Sequence, residues 1–216
     1  MHYYSEQDIR EIVAQVVAQT DREHTREDAT IPVEASGRHV HLTAADRETL
    51  FGSGSALTAK RPLSQPGQFL CEERVKLVTA RGEFSNVAVL GPERKETQVE
   101  LSLTDARSLG ISVPVNLSGD LSGGGDVVII GPKGAVTARG SAIAARAHIH
   151  MTPEDAGRYC VHDGQVVSFR VETGRPVTFE NVVIRVSEKF ALAAHLDFDE
   201  ANAAGVGKDT LGRIVK

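Results

Sequence analysis

The chain has no tryptophan, and aromatic residues of all kinds make up 5% of it. That scarcity argues against a surface of stacking platforms, the device that commonly holds single-stranded nucleic acid. Nor is there a surplus of positive charge: 24 lysines and arginines face 29 aspartates and glutamates, for a formal net charge of -5. Wholesale electrostatic attraction to nucleic acid or to an anionic membrane is thereby disfavoured, and any anion must be held by a local pocket. Cysteine is nearly missing. Cys71 and Cys160 are too few for a disulfide framework, which a chain of this length does not need, so a reducing compartment is expected. No apolar run reaches the roughly 18 residues of a membrane-spanning helix. The N-terminus reads against a signal peptide, because Glu6 and Asp8 come early and the apolar residues are spaced rather than continuous.

What remains is a globular composition: 216 residues, 41% hydrophobic and 25% charged, enough for one large or two small domains. The first 30 residues stand apart. Ile9, Ile12, Val13, Val16 and Val17 recur at helical spacing, and Ser5 with Asp8 forms a capping-box start, so an amphipathic helix is expected over 5–20. The charged stretch TDREHTREDAT that follows reads as a polar tether. From residue 31 onward short β-branched runs alternate with Gly and Pro: 75–79, 87–90, 127–130, 166–171 and 182–186. That pattern predicts a mainly β body, sandwich or barrel, with few short helices.

The body repeats itself. RHVHLTAAD at 38–46 returns as AHIHMTPED at 147–155, an offset of 109. FSNVAVL at 84–90 returns as FENVVIR at 179–185, an offset of 95, which also carries Asp105-Ala106 onto Glu200-Ala201 and Gly110 onto Gly205. The 14-residue difference points to an insertion in the first half, and GSGSALTAKRPLSQPG at 52–67 is the loop-like candidate. Two related β domains are expected, 31–120 and 121–216, joined near the Gly-rich stretch 118–126. Gly123-Gly124-Gly125 lacks the Lys-Ser/Thr ending of a P-loop, so a nucleotide site is not expected there.

The repeat carries chemistry. His39 and His41, and again His148 and His150, form H-x-H pairs; on a strand, residues i and i+2 share one face, about 6–7 Å apart along the chain. The offset of 95 brings His195 onto Glu100, and both are metal-ligand types. Six ligands in two sets of three leave open positions, the arrangement of catalytic rather than structural zinc. Histidine-dominated sets suit zinc over cobalt, nickel or iron. The sharing of ligands is open between two schemes. Each domain can hold its own metal, or His195 can cross to His39 and His41 and leave Glu100 with His148 and His150; the crossed scheme is preferred here because it explains why two domains must meet. Arg94 follows the Gly91-Pro92 turn, six residues before Glu100, where a guanidinium suits an oxyanion. His2, His24 and His162 share no such pattern.

ASGRHVHLT, LSQPGQF, LGPERKETQVELS, AHIHMTPED and HLDFDEANAAG together resemble the phosphate propanoyltransferases, the phosphotransacylases of bacterial microcompartments, over nearly all of 31–216. The resemblance implies two β-barrel domains with two zinc ions between them, held by the six ligands above. It implies exchange of a short acyl group between coenzyme A and inorganic phosphate. It implies a phosphate-binding role for Arg94, and a coenzyme A end lined by Ser36, Leu90, His195 and Asn202, with Arg61 reaching in from the insertion. Three positions depart from the family pattern: Gly37 where Asn is usual, Ala147 where Arg is usual, and Ala88 where a basic residue can help to hold coenzyme A. A zinc-dependent hydrolase and a structural zinc protein of a microcompartment lumen are the competing readings. A homodimer or larger oligomer is expected.

Members bound for a microcompartment lumen carry a tethered amphipathic helix, which residues 5–20 resemble; shell or cargo proteins are its expected partners. Deleting residues 1–25 should leave metal content and catalysis intact, since every candidate site residue lies beyond 35. It should abolish co-purification with shells, whereas a truncated chain that unfolds would place the helix in the core.

Overall fold

In the computed structural model of the chain, the described residues are 7, 10–13 and 29–215. Of the helix expected over 5–20, residues 7 and 10–13 are helical, and Ile12 and Val13 of its apolar stripe stand about half exposed. The remainder of that helix and residues 21–28 of the tether lie outside the described residues.

The body is mainly β and contains two closed six-stranded barrels. One is built from β1 (Ile31–Ser36), β10 (His148–Met151), β11 (Val166–Glu172), β12 (Val177–Val186), β13 (Ala193–Asp197) and β14 (Leu211–Val215), in ring order β1-β13-β10-β12-β11-β14. The other is built from β2 (His39–His41), β4 (Phe69–Val78), β5 (Glu83–Gly91), β6 (Gln98–Leu101), β8 (Gly125–Ile130) and β9 (Ala135–Ala145). Here β8 pairs with both β4 and β9 and closes the ring, while β3 (Ala59–Pro62) lies on β4 and β7 (Val115–Asn116) on β9. Closure leaves no open edge within either ring.

Strand membership departs from the expected division at residue 120. β1 belongs to the C-terminal barrel, parallel to β13, and β8 and β9 belong to the N-terminal one. The repeat seen in the sequence is real, but its spatial units are completed by exchange. The Gly-rich stretch near 120 is a connection inside one barrel. The chain crosses between barrels elsewhere, at residues 37–38 and 146–147, where two residues separate β1 from β2 and β9 from β10. The insertion at 52–67 is also more than a loop, since it contains β3.

Each barrel has its own core. Val40, Leu42, Val89, Val99 and Ile129 fill one, and Ile31, Ile149, Met151, Phe169 and Ile184 fill the other, all of them fully buried. Four short helices close the ends of strands: α1 (Ala44–Phe51), α2 (Leu103–Leu109), α3 (Pro153–Tyr159) and α4 (Phe198–Ala203). Each begins at a capping side chain, Thr43, Ser102, Thr152 or Asp197, which accepts a hydrogen bond from the backbone N–H three residues on, at 2.8–3.1 Å. Cys71 is buried and Cys160 exposed, and no disulfide joins them. Among the described residues no helix is long and apolar enough to cross a membrane.

The exchange of β1 yields a direct expectation. Ile31 lies far from β13 and β14 in sequence but is fully buried in their core. Ile31→Ala should lower stability by about 2–5 kcal/mol, the usual cost of truncating a fully buried aliphatic side chain, as measured by denaturant unfolding. A change under about 1 kcal/mol would mean that β1 is not part of that barrel.

Candidate metal and active site

The four strands that carry the candidate ligands share one local design. In each, the ligand stands two residues before a helix cap: His41 before Thr43, Glu100 before Ser102, His150 before Thr152, His195 before Asp197. The residue between is apolar and buried: Leu42, Leu101, Met151 and Leu196 are all at most 3% exposed. Side chains alternate along a strand, so the apolar residue enters the barrel and the ligand stands on its outer wall. His39 and His148, two residues earlier, share that outer face. The outer walls of the two barrels face each other, and the seam between them opens as a cleft of about 410 Å³.

Strand pairing sorts the ligands. His39 lies opposite Glu100 in the antiparallel register of β2 and β6, and His148 opposite His195 in that of β10 and β13. In each group, His39–His41–Glu100 and His148–His150–His195, the potential ligand atoms lie within 4.8 Å of one another. The crossed scheme preferred from the sequence is therefore not the arrangement found. Each repeat gathers its own three, because the third ligand sits on a strand hydrogen-bonded to its own H-x-H strand.

The two leading histidines are oriented by the crossing points. His39 Nδ1 lies 2.8 Å from the carbonyl of Gly37, and His148 Nδ1 2.8 Å from that of Arg146. A carbonyl only accepts, so each Nδ1 carries the proton and donates it, and each Nε2 lone pair is left for another partner. Both nitrogens of His150 are buried without any hydrogen-bond partner, a costly state unless something else engages them. Burial, with the neighbouring imidazoles of His148 and His195 and the charge of Arg185, pushes the pKa of His150 down to about 2. His195 is pushed down to about 3 by burial and by His148 and Arg185, against Glu100. His148 is lowered by burial and Arg185, and His41 well lowered by burial, His39 and Arg94. These imidazoles are neutral, the form that ligates metals.

Glu100 behaves oppositely. Burial disfavours its charge, but His39, His41 and the Ser118 hydroxyl outweigh it and hold the carboxyl well below its usual range. Glu100 Oε2 stands 3.5 Å from His39 Nε2, while Oε1 accepts from Ser118 Oγ at 2.7 Å and from Gln98 Nε2 at 2.5 Å. Glu100 in turn outweighs burial at His39, whose pKa is raised. Imidazole nitrogens and a carboxylate oxygen, carbonyl-oriented and partly orphaned, form a donor set that fits zinc.

Arg94 lines the cleft, as do Ser36, Leu90, Arg61 and His195. Asn202 does not: it is exposed on α4, outside the lining residues. The Arg94 guanidinium donates to Ser118 Oγ at 3.0 Å, and its backbone N–H to the Leu42 carbonyl at 2.9 Å, so Ser118 links arginine to Glu100. Gly37 has a local cause: a Cβ there would stand 2.7 Å from the Phe198 ring. Ala88 lines the cleft and Ala147 is buried.

Sequence reasoning passed over four residues here. Ser118 was hidden in a Gly-rich stretch. Gln65, from the insertion, is 4% exposed and clasps the other barrel: Nε2 donates to the Ala191 carbonyl at 2.9 Å, Oε1 accepts from the Ala191 N–H at 3.2 Å, and Nε2 lies 3.4 Å from His195 Nε2. Phe190 packs on His150 with ring centroids 4.1 Å apart. Arg185 lies opposite His150 in the register of β10 and β12. Its signal was present, as the last residue of the repeated FENVVIR.

A family model described as phosphate propanoyltransferase matches residues 32–207. A phosphate propanoyltransferase of Clostridioides difficile is 47% identical over 208 residues, covering 96% of this chain and 97% of its own. One from Enterococcus faecalis is likewise 47% identical over 96% of this chain and 97% of its own. One from Thermotoga maritima is 50% identical over 192 residues, covering 88% of this chain and 91% of its own. The fold, the site and these relatives together define an acyltransferase. The chain belongs to the phosphate propanoyltransferase family.

Proposed function

We propose that this enzyme transfers a short acyl group, propanoyl or one of similar size, between coenzyme A and inorganic phosphate at a two-zinc site. The observation that carries this reading is the opening of both ligand triads and Arg94 onto one cleft. The lining suits anions: five arginines stand there against three carboxylates, Glu34, Glu100 and Asp197. Coenzyme A, phosphate and acyl phosphate are all anionic.

His39, His41 and Glu100 would hold one zinc, and His148, His150 and His195 the other. When bound, the metal supplies Lewis-acid stabilisation of a departing thiolate and of a polarised carbonyl oxygen. The chain's own residues do the positioning. Arg94, steadied by Ser118, holds phosphate by paired N–H donors, oriented for attack. A phosphate oxygen forms the new bond to the thioester carbon, the carbonyl electron pair moves to oxygen, and on its return the C–S bond breaks and the thiolate leaves. The guanidinium charge offsets the negative charge that builds in between. No acyl-enzyme is required. Ser36, Leu90, Arg61 and His195, with Asn202 outside the cleft proper, form the proposed coenzyme A end. The exposed Ile12 and Val13 support a docking role for the N-terminal helix, and with it a place in a microcompartment lumen.

The purified protein should contain about two zinc ions per chain and release thiol from propanoyl-CoA only when phosphate is added. The stoichiometry is one metal per three-ligand set. The double variant with His148→Ala and His150→Ala should lose one of them and lose turnover. Phosphate-independent thiol release would make the enzyme a hydrolase, and full metal with no turnover in the wild type would make the zinc structural. Arg94→Lys keeps the charge but loses the planar fork. Its turnover should fall by about two orders of magnitude, the scale of one lost transition-state donor, with zinc content unchanged.

A further inference from the structure

Five arginines line the cleft, and their partners differ. Arg38 is bound to Asp105 through Nε at 3.0 Å and Nη2 at 2.6 Å. Arg146 donates to the Asn181 carbonyl at 3.2 Å. Arg61 stands exposed on β3. Arg94 and Arg185 are half-buried, as Arg38 and Arg146 are, and come one from each barrel. Among the described residues neither is ion-paired to a carboxylate. Arg94 donates to Ser118, and the Arg185 guanidinium stands 5.7 Å from the centre of the Phe190 ring.

These two cations are close enough to feel each other. Arg94's pKa is lowered by burial and by the charge of Arg185, with Glu100 opposing. Two guanidiniums facing one cleft repel each other in the free protein, an effect that Glu100 offsets at Arg94, and a dianion between them relieves it. The repeat did not place them symmetrically. The position equivalent to Arg94 is Lys189, exposed and outside the cleft, and the position equivalent to Arg185 is Leu90. Each barrel thus contributes one cation by a different route. β12 fixes Arg185 beside His150, on the face opposite the buried Ile184, so its side chain projects into the seam.

We infer that Arg185 is a second phosphoryl-binding arginine, gripping the phosphoryl group of inorganic phosphate and of the acyl phosphate product from the face opposite Arg94. This rests on the phosphate acyltransferase reading above. The two arginines divide the work. Arg94 is tied through Ser118 to Glu100, and Arg185 stands beside the three-histidine set, so a phosphoryl group held by both spans the seam. Phosphate binding then draws the barrels' facing walls together.

The test compares Arg185→Gln and Arg185→Lys with the wild-type holoenzyme in both directions of the reaction. Arg185→Gln should raise the KM for phosphate, and for propanoyl phosphate in reverse, by roughly ten- to a hundredfold, the scale of a lost charge-assisted hydrogen bond. The KM for propanoyl-CoA and the zinc content should stay within about twofold, inside the experimental spread expected for a site left intact. Arg185→Lys should recover part of the loss. A rise confined to the coenzyme A substrates would assign Arg185 to the coenzyme A diphosphate and overturn the proposal, as would unchanged kinetics. Direct titration of the zinc-loaded protein with inorganic phosphate separates this from the activity itself. If the wild type shows no phosphate-dependent turnover yet binds phosphate, and Arg185→Gln does not, the function above fails and the arginine assignment stands. Equal binding by wild type and variant overturns it.

Discussion

Every candidate ligand but the two that lead the H-x-H pairs stands one residue before a buried apolar side chain and two before a helix cap, and the pleat of the strand keeps these neighbours on opposite sides of a barrel wall. The site depends on that alternation. A slip of one residue would carry Leu42, Met151 and Leu196 into the cleft and turn the histidines into the cores. Burying a large aliphatic side chain is worth about 1.5–3 kcal/mol, and an unpartnered buried polar group costs about 1–3 kcal/mol. The cores therefore hold His150 on the cleft side of its strand, since Ile149 and Met151 on either side are fully buried. The caps set the phase, because a strand that must deliver Thr43 or Thr152 to a helix start has no freedom to slide.

The two repeats have diverged at the electrostatic level while keeping their geometry. The first set includes a carboxylate, which lies beside His39 and is linked through Ser118 to Arg94. The second is made of three neutral imidazoles beside an arginine. A cation held by neutral ligands keeps more of its charge for what it meets than one held by a carboxylate. One framework thus offers two ends of different polarity, as suits a reaction that joins two chemically different partners.

Much of this was legible from residue order. The H-x-H pairs, the offset that brings Glu100 onto His195, and the turn before Arg94 are local signals, and a period of two carries them onto one face of a strand. The mainly β character came from β-branched runs between Gly and Pro. What residue order did not carry was partnership at long range. The crossed ligand scheme failed because strand neighbours, β2 with β6 and β10 with β13, are set by ring closure. The division at 120 failed because similarity between halves says which segments are alike, not which pair. Asn202 was placed by resemblance and stands on the exposed face of its helix. A regularity in plain sight went unread: HLT, ELS, HMT and HLD, four copies of ligand, buried apolar residue and cap.

The exchange of β1 has a consequence for how the polypeptide is made. β1, the first strand among the described residues, pairs with β13 and β14, which begin at residues 193 and 211. The barrel of β2, β4, β5, β6, β8 and β9 can close once residue 145 has emerged, but β1 must wait, with its backbone donors and acceptors bound to water rather than to a strand, for most of the remaining translation. Such distant pairing slows folding, and an extended strand kept waiting is a template for unwanted pairing with a neighbouring nascent chain. Pro32 lies within that strand and offers no backbone N–H to a stray partner. Glu34 adds a charge that a stacked copy would have to place against its own. The same six residues that complete the last barrel are thus composed so as to be safe company while it is still being synthesised.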